Sequence, residues 1–268
     1  MLRIGCCGFP VGLSRYAAEL SVAEVQKTFY RLPKRVIVRR WRDTVPEEFT
    51  FTVKAWQGIT HPAGSPTYRK AGITIPDDVM SQLGHFQPTE PVFAAWKETR
   101  EMADVLRAPV ILLQAPPSFG QTEEHENNLA AFFPGIDRGA SRIALELRAP
   151  WDREGLAAVC RESDLIHCVD PFGDEPVTGP PFYLRLHGSP PRLRPGGSPS
   201  GLGPPGSPPG KCMYSYRYTG EDLRRLKDRI SGWESEGEVF CLFNNLSMWE
   251  DALAFRDLWQ AHHGEAGP

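Results

Sequence analysis

Short apolar runs alternate with longer segments of helical periodicity along this chain, and that alternation constrains its fold more than any other feature. The runs are Arg3–Cys7, Ala23–Thr28, Thr50–Ala55, Pro109–Gln114, Arg142–Leu147, Ile166–Val169, Phe182–Leu186 and Val239–Phe243. Helical patterns cover Val92–Arg107, Glu123–Phe133, Trp151–Glu162, Glu221–Glu236 and Met248–His262, with a further one at Lys34–Trp41. Strands joined through helices pair in parallel. Eight of them in 268 residues predict the α/β class and a single (β/α)8 TIM-like barrel spanning 1–264. An open doubly wound sheet of the dinucleotide-binding type wants GxGxxG after its first strand, and Gly5-Cys6-Cys7-Gly8 is not that turn.

Two segments interrupt the rhythm. The first is a long loop after strand three, from Gln57 to about Pro91, carrying Thr60-His61-Pro62 and Tyr68-Arg69-Lys70. Loops of that length in compact domains are usually functional or disordered, a lid or an inert insertion. The second follows strand seven: in Ser189–Gly210, 18 of 22 residues are Gly, Pro or Ser, too few apolar groups to fold alone, which predicts a flexible insertion. In a barrel both rise from the C-terminal face, where active sites are built.

The strand ends carry the polar residues. Glu24, Gln26 and Thr28 alternate and are expected to share one face of strand two, ahead of Tyr30. Lys54 and Gln114 lie at the ends of strands three and four. Glu146 and Arg148, two apart, close strand five before Trp151. Asp170 ends strand six, Tyr183, Arg185 and His187 share a face of strand seven, and Asn244 and Asn245 end strand eight. Barrel interiors are normally filled by Val, Ile and Leu, and every buried charge must be paired, so a polar ring at one end reads as a site. In it Lys54, Arg148 and Arg185 suit an anion. Glu24, Glu146, Asp170, His61 and His187 are candidate proton-transfer groups or metal ligands. Gln26, Tyr30, Gln114, Trp151, Asn244 and Asn245 are candidate substrate contacts. No HExxH or GxSxG occurs, which disfavours a serine hydrolase and leaves a divalent metal open.

Arg35, Arg39 and Arg42, at i, i+4 and i+7 beside Lys34 and Arg40, form a basic stripe that would suit a phosphate backbone, extended by Tyr68-Arg69-Lys70. The net charge of -3 argues for a local patch rather than a coat, and equally for a plain solvated face. The cysteines at 6, 7, 160, 168, 212 and 241 contain no CxxC pair and are expected as buried thiols. The chain enters its first strand at once and has no apolar run near the ~20 residues of a membrane span, so the expected location is cytoplasmic.

Val25-Gln26-Lys27-Thr28-Phe29-Tyr30-Arg31-Leu32-Pro33 resembles the signature of the YecE-like family, catalogued as domain of unknown function 72. Further blocks resemble it in family order: Phe51–Ala55 with Ile59-Thr60-His61, Leu113–Phe119, Leu145–Arg148, Tyr183–Gly188, Tyr214-Ser215-Tyr216 and Phe243-Asn244-Asn245. Departures are Gly5–Phe9 where many members have a GTSGW-like run, Gln26 for the usual Asn, Asp251 for a common Asn, and the insertion. The resemblance implies a TIM-like barrel. A suggested similarity of the family to the metal-dependent apurinic endonucleases implies DNA binding. The resulting expectation is a hydrolase-like enzyme on an anionic, phosphate-bearing substrate, nucleic acid included. The alternatives are a non-catalytic nucleic-acid-binding module or a metal-free enzyme on a sugar or small acid. Oligomeric state is not legible.

Overall fold

The computed structural model describes residues 1–188 and 214–264. The insertion expected at 189–210 and Cys212 lie outside the described residues. In chain order the elements are β1 (Leu2–Cys7), α1 (Leu13–Glu19), β2 (Val22–Val25), α2 (Lys27–Tyr30), α3 (Arg35–Thr44), β3 (Thr50–Lys54), α4 (Pro66–Ala71), α5 (Asp77–Met80), α6 (Glu90–Leu106), β4 (Val110–Ala115), α7 (Glu123–Phe132), β5 (Arg142–Leu147), α8 (Arg153–Glu162), β6 (Leu165–Val169), β7 (Phe182–Leu186), α9 (Gly220–Glu236), β8 (Val239–Phe243) and α10 (Met248–Gly264). The strands follow one another in chain order and close into a barrel, as the alternation predicts. The chain forms two compact units, Val25–His167 and Met1–Glu24 with the segment from Cys168 on.

In the Val25–His167 unit, β4 is the central strand, pairing in parallel with β3 (Val53↔Ile111) and with β5 (Val110↔Arg142 through Ala115↔Leu147). Its Val110-Ile111-Leu112-Leu113 core is the near-continuous apolar run expected of a strand covered on both faces. Helix α6 buries Val92, Ala95, Trp96, Thr99, Met102, Ala103 and Leu106, a stripe at helical spacing, and stops where Arg107 turns left-handed at φ 53°. An aromatic cluster of Phe86, Phe119, Phe132 and Phe133 fills the space under the loops after β3 and β4. The expected long loop after β3 is not structureless: it holds α4 and α5, and Tyr68 is buried with its hydroxyl donating to His61 O at 3.0 Å.

In the other unit β1 pairs with β2 and β8, and β8 with β7, all parallel. β1 needs Gly5, because a Cβ there would lie 1.9 Å from Val22 O and force the strands apart. Buried Tyr16 on α1 accepts from the Cys6 N–H at 2.6 Å and donates to Val22 O at 2.8 Å, tying the helix to both strands. A capping box between Thr219 and Asp222 starts α9.

Two local expectations are corrected. β2 ends at Val25, so Gln26 and Thr28 do not continue its face: Gln26 is the N-cap residue of α2 and Thr28 lies within that turn. The cause is the Thr28 hydroxyl, placed 2.8 Å from Val25 O and 2.6 Å from Lys54 O, which folds the chain back instead of extending it. The helix expected from Trp151 begins at Arg153, because the Asp152 side chain caps it by accepting from Gly155 N–H at 2.8 Å. Cys6, Cys7, Cys160, Cys168 and Cys241 are free and buried. Burial pushes the Cys6 and Cys160 thiols up to about 12 and raises Cys7 and Cys241 too, so these four are not nucleophiles at neutral pH. Among the described residues no helix is long and apolar enough to cross a membrane.

Candidate functional site

The ends of β3, β4 and β5 place a row of polar groups side by side in the Val25–His167 unit. Lys54, only 6% exposed, sends Nζ to Gln114 Oε1 at 2.7 Å and sits 4.0 Å from the centre of the Phe29 ring. Gln114 is in register with Glu146, whose Oε1 lies 2.5 Å from Arg148 Nε. A lysine at this depth must have its charge paired or hydrogen-bonded. Phe29 comes from α2, so the correction to β2 has a consequence: the turn that ends the strand slides an aromatic face under the ammonium.

His61 packs edge to face with the same ring at 5.0 Å, its Nδ1 2.7 Å from Thr60 Oγ1. Burial, then the charges of Lys54 and His85, depress its pKa to about 3. It therefore stays neutral across the physiological range, as a hydrogen-bonding group. Gly84, His85 and Phe86 hold this loop from behind. All three have positive φ (86°, 51° and 54°), and their N–H groups bond in turn to the carbonyls of Gly58, Thr60 and Ile59. Gly84 has no room for a side chain, since a Cβ would lie 2.3 Å from Pro62 N. His85 Nε2 is 2.9 Å from Ser118 Oγ, and its ring meets that of His125 at 4.7 Å. Trp151 donates from Nε1 to Phe119 O at 2.9 Å and stacks on Phe119, a wall rather than an open stacking surface.

In the other unit the polar strand ends form a buried charge cluster. Glu24 and Arg185 are both 0% exposed and pair at 3.1 Å, while the Tyr183 hydroxyl donates to Glu24 at 2.8 Å. Asp170 Oδ2 accepts from the His187 backbone N–H at 2.9 Å and lies 3.2 Å from Nδ1. That contact makes Nδ1 the protonated nitrogen and Nε2 the basic one. The Gly188 N–H donates to Tyr218 Oη at 2.8 Å, fixing the chain just after β7. Asn245 is committed to structure: its Nδ2 donates to Asp251 Oδ2 at 2.6 Å and to Tyr216 O at 2.8 Å. The Asn244 backbone N–H bonds Leu186 O at 2.8 Å.

The basic stripe is partly redirected. Arg42 packs over Phe51 and bonds the carbonyls of Phe49 and Pro46, and Arg35 meets Glu101 at 3.3 Å, so α3 does not present the evenly spaced cations its periodicity predicts. Sequence reasoning missed Phe29 under Lys54, the Tyr183 hydroxyl on Glu24, and the His85–Ser118 contact. Among the described residues no group of three His, Cys, Asp or Glu side chains converges as a bound metal ion requires. Glu24 and Glu146 instead face arginines, so the metal implied by the resemblance does not fit the groups described.

Fold and strand-end chemistry together define a (β/α)8 barrel protein with ion-paired carboxylates and a buried lysine where such barrels carry their sites. The chain belongs to the family described as "Protein of unknown function DUF72", which matches residues 10–267. It is similar to the UPF0759 protein YunF of Bacillus subtilis, 25% identical over 249 residues, 88% of this chain and 80% of that protein. The structure of a DUF72 family protein from Enterococcus faecalis resembles it with a TM-score of 0.66 at 22% identity, over 97% of this chain and 98% of that one. More distant barrels share the fold: endonuclease IV from Thermus thermophilus (TM-score 0.53, 12% identity, 98% and 99% covered) and D-psicose 3-epimerase from Clostridium cellulolyticum (0.54, 11%, 97% and 98%).

Proposed function

We propose that this protein is a hydrolase-like enzyme that takes an anionic, phosphate-bearing substrate at the row formed by Lys54, Gln114, Glu146 and Arg148. The observation that carries this is the placement of Lys54: a nearly buried ammonium, oriented by an amide and an aromatic face, beside a strand end whose arginine is oriented by a carboxylate. Lys54 and Arg148 would neutralise the non-bridging oxygens, Arg148 with its planar fork. Neutral His61 would add a hydrogen bond without competing for the anion. Glu146 would take the proton from the attacking water, which the leaving alcohol recovers when the ester bond breaks.

Inorganic phosphate and bis(p-nitrophenyl) phosphate are the probes. Phosphate is expected to raise the thermal midpoint of the parent protein but not of Lys54→Met or Arg148→Met. Glu146→Gln is expected to lower kcat by roughly 10²–10⁴-fold, the range for a lost general base. If Lys54→Met and Glu146→Gln keep both the phosphate response and the turnover of the parent, the reading is wrong.

A further inference from the structure

Residues 25–42 hold seven cations, Lys27, Arg31, Lys34, Arg35, Arg39, Arg40 and Arg42, and no acid, in a chain whose net charge is -3. The structure separates those that serve the fold from those that do not. Arg42 is turned inward on carbonyls, Arg35 meets Glu101, and Arg31 reaches Gly72 O at 3.2 Å, linking α2 to the end of α4. Lys27, Lys34, Arg39 and Arg40 remain, and α4, packed against α2, adds Arg69 and Lys70. All six are exposed, and among the described residues none has an ion pair or a hydrogen bond from its side chain. Exposed like charges without ion pairs repel one another, and a polyanion would relieve that repulsion.

The apolar groups on this surface select the polyanion. Tyr30 on α2 is 39% exposed, lies between Lys27 and Lys34 in sequence, and packs edge to face on Phe29. Beside Arg69 lies an open groove of about 510 Å³ lined by Tyr68, Ile73, Ile75 and Met80. An exposed aromatic ring among cations, next to an apolar recess, is the pairing that holds a single strand: the cations track the phosphates and the ring and recess receive unstacked bases. An anionic bilayer would need a broader apolar face than exposed Val36 and Ile37 supply. A duplex would leave Tyr30 and the recess without use. We infer that this surface binds single-stranded nucleic acid along α2, α3 and α4. Since Phe29 and Tyr30 are neighbours on one turn, the strand would pass beside the Lys54 row; the inference thus deepens the reading above by naming its substrate class, and rests on it only for that last step.

Fluorescence anisotropy with a labelled 20-nucleotide single strand, the matching duplex, and vesicles containing phosphatidylserine tests it. The expected result is single-strand binding that weakens with salt with a log–log slope of roughly -0.7 per phosphate neutralised. Tyr30→Ala is expected to weaken it roughly 5- to 150-fold, the range for one lost base stack. Arg39→Glu with Arg40→Glu, and separately Arg69→Glu with Lys70→Glu, are each expected to weaken it at least tenfold, and Arg153→Glu with Arg161→Glu to leave it unchanged. Absent binding at low salt, duplex preferred to single strand, vesicle binding alone, or equal losses in the Arg153/Arg161 control would each overturn the inference. A parent protein that does not respond to phosphate, or a response that survives Lys54→Met, with strand binding intact, would refute only the catalytic reading.

Discussion

Acidification is expected to weaken this protein through His61 well before its carboxylates titrate. The imidazole has an ordinary pKa of 6.5 in the unfolded chain and about 3 in the folded one, because burial and then the charges of Lys54 and His85 penalise the imidazolium. Between those values the unfolded state binds a proton that the native state refuses. Stability is therefore full above about pH 6.5 and falls as the pH drops toward 3. At pH 5 the ratio of binding polynomials is roughly 30, which costs about 2 kcal/mol, and the whole shift costs about 5 kcal/mol once the pH lies well below 3. The pH 5 figure hardly depends on how far below 4 the folded value lies. Urea unfolding at pH 8 and pH 5 measures it, in the parent and in His61→Gln, which cannot titrate there. His85, also depressed by burial and by His125, pushes in the same direction, so the difference between parent and variant is the quantity to read. The parent should lose about 2 kcal/mol more than His61→Gln over that interval. Equal losses, or a His61 ring resonance that titrates above pH 5, would refute the assigned burial and with it the neutral role of His61.

Two more predictions concern what holds the strand ends. Glu24→Gln leaves the Arg185 charge buried without its counter-ion and should cost about 3–5 kcal/mol, lowering the thermal midpoint by roughly 6–20 °C. Adding Arg185→Met should restore most of that loss, and a single-variant cost under about 1 kcal/mol would show that the pair is not buried as described. Gly84→Ala puts a Cβ 2.3 Å from Pro62 N at a φ of 86°, so a stability loss on the order of 1–3 kcal/mol is expected, with His61 titrating higher as its loop is displaced. Unchanged denaturation and an unchanged His61 titration would remove the clasp from the account.

The parts of the fold that local pattern controls were legible, and the parts that distant contacts control were not. β4 and β8 read directly as strands because burial on both faces demands apolar runs, and the two-residue spacing put Glu146 and Arg148 together at the end of β5, where they pair. β2 could not be bounded. Val25-Gln26-Lys27-Thr28 alternates as a strand should, and what stops it is a hydroxyl meeting a carbonyl on β3, 26 residues away. His85 was invisible for the same kind of reason: a left-handed conformation at a non-glycine residue leaves no periodic signature, and its partners lie on the loop after β4 and on α7.

The misread boundary matters most for chemistry. Continued as a strand, 26–28 would carry Phe29 and Tyr30 on along β2 and leave Lys54 without its ring. Folded as the turn α2, the same residues put the Phe29 ring centre 4.0 Å from the lysine nitrogen and leave Tyr30 exposed at the surface. On the proposed readings, one helical turn would offer its inner side to a single phosphate and its outer side to a chain of them. If the outer side binds a strand, substitutions at Tyr30 should change affinity for oligonucleotides and leave the response to inorganic phosphate alone. Substitutions at Phe29 should do the reverse, because removing the ring withdraws the face that orients Lys54 without touching the exposed cations. A Phe29→Leu variant that weakens both equally would mean that the turn acts as one structural unit, with no division of labour between its two faces.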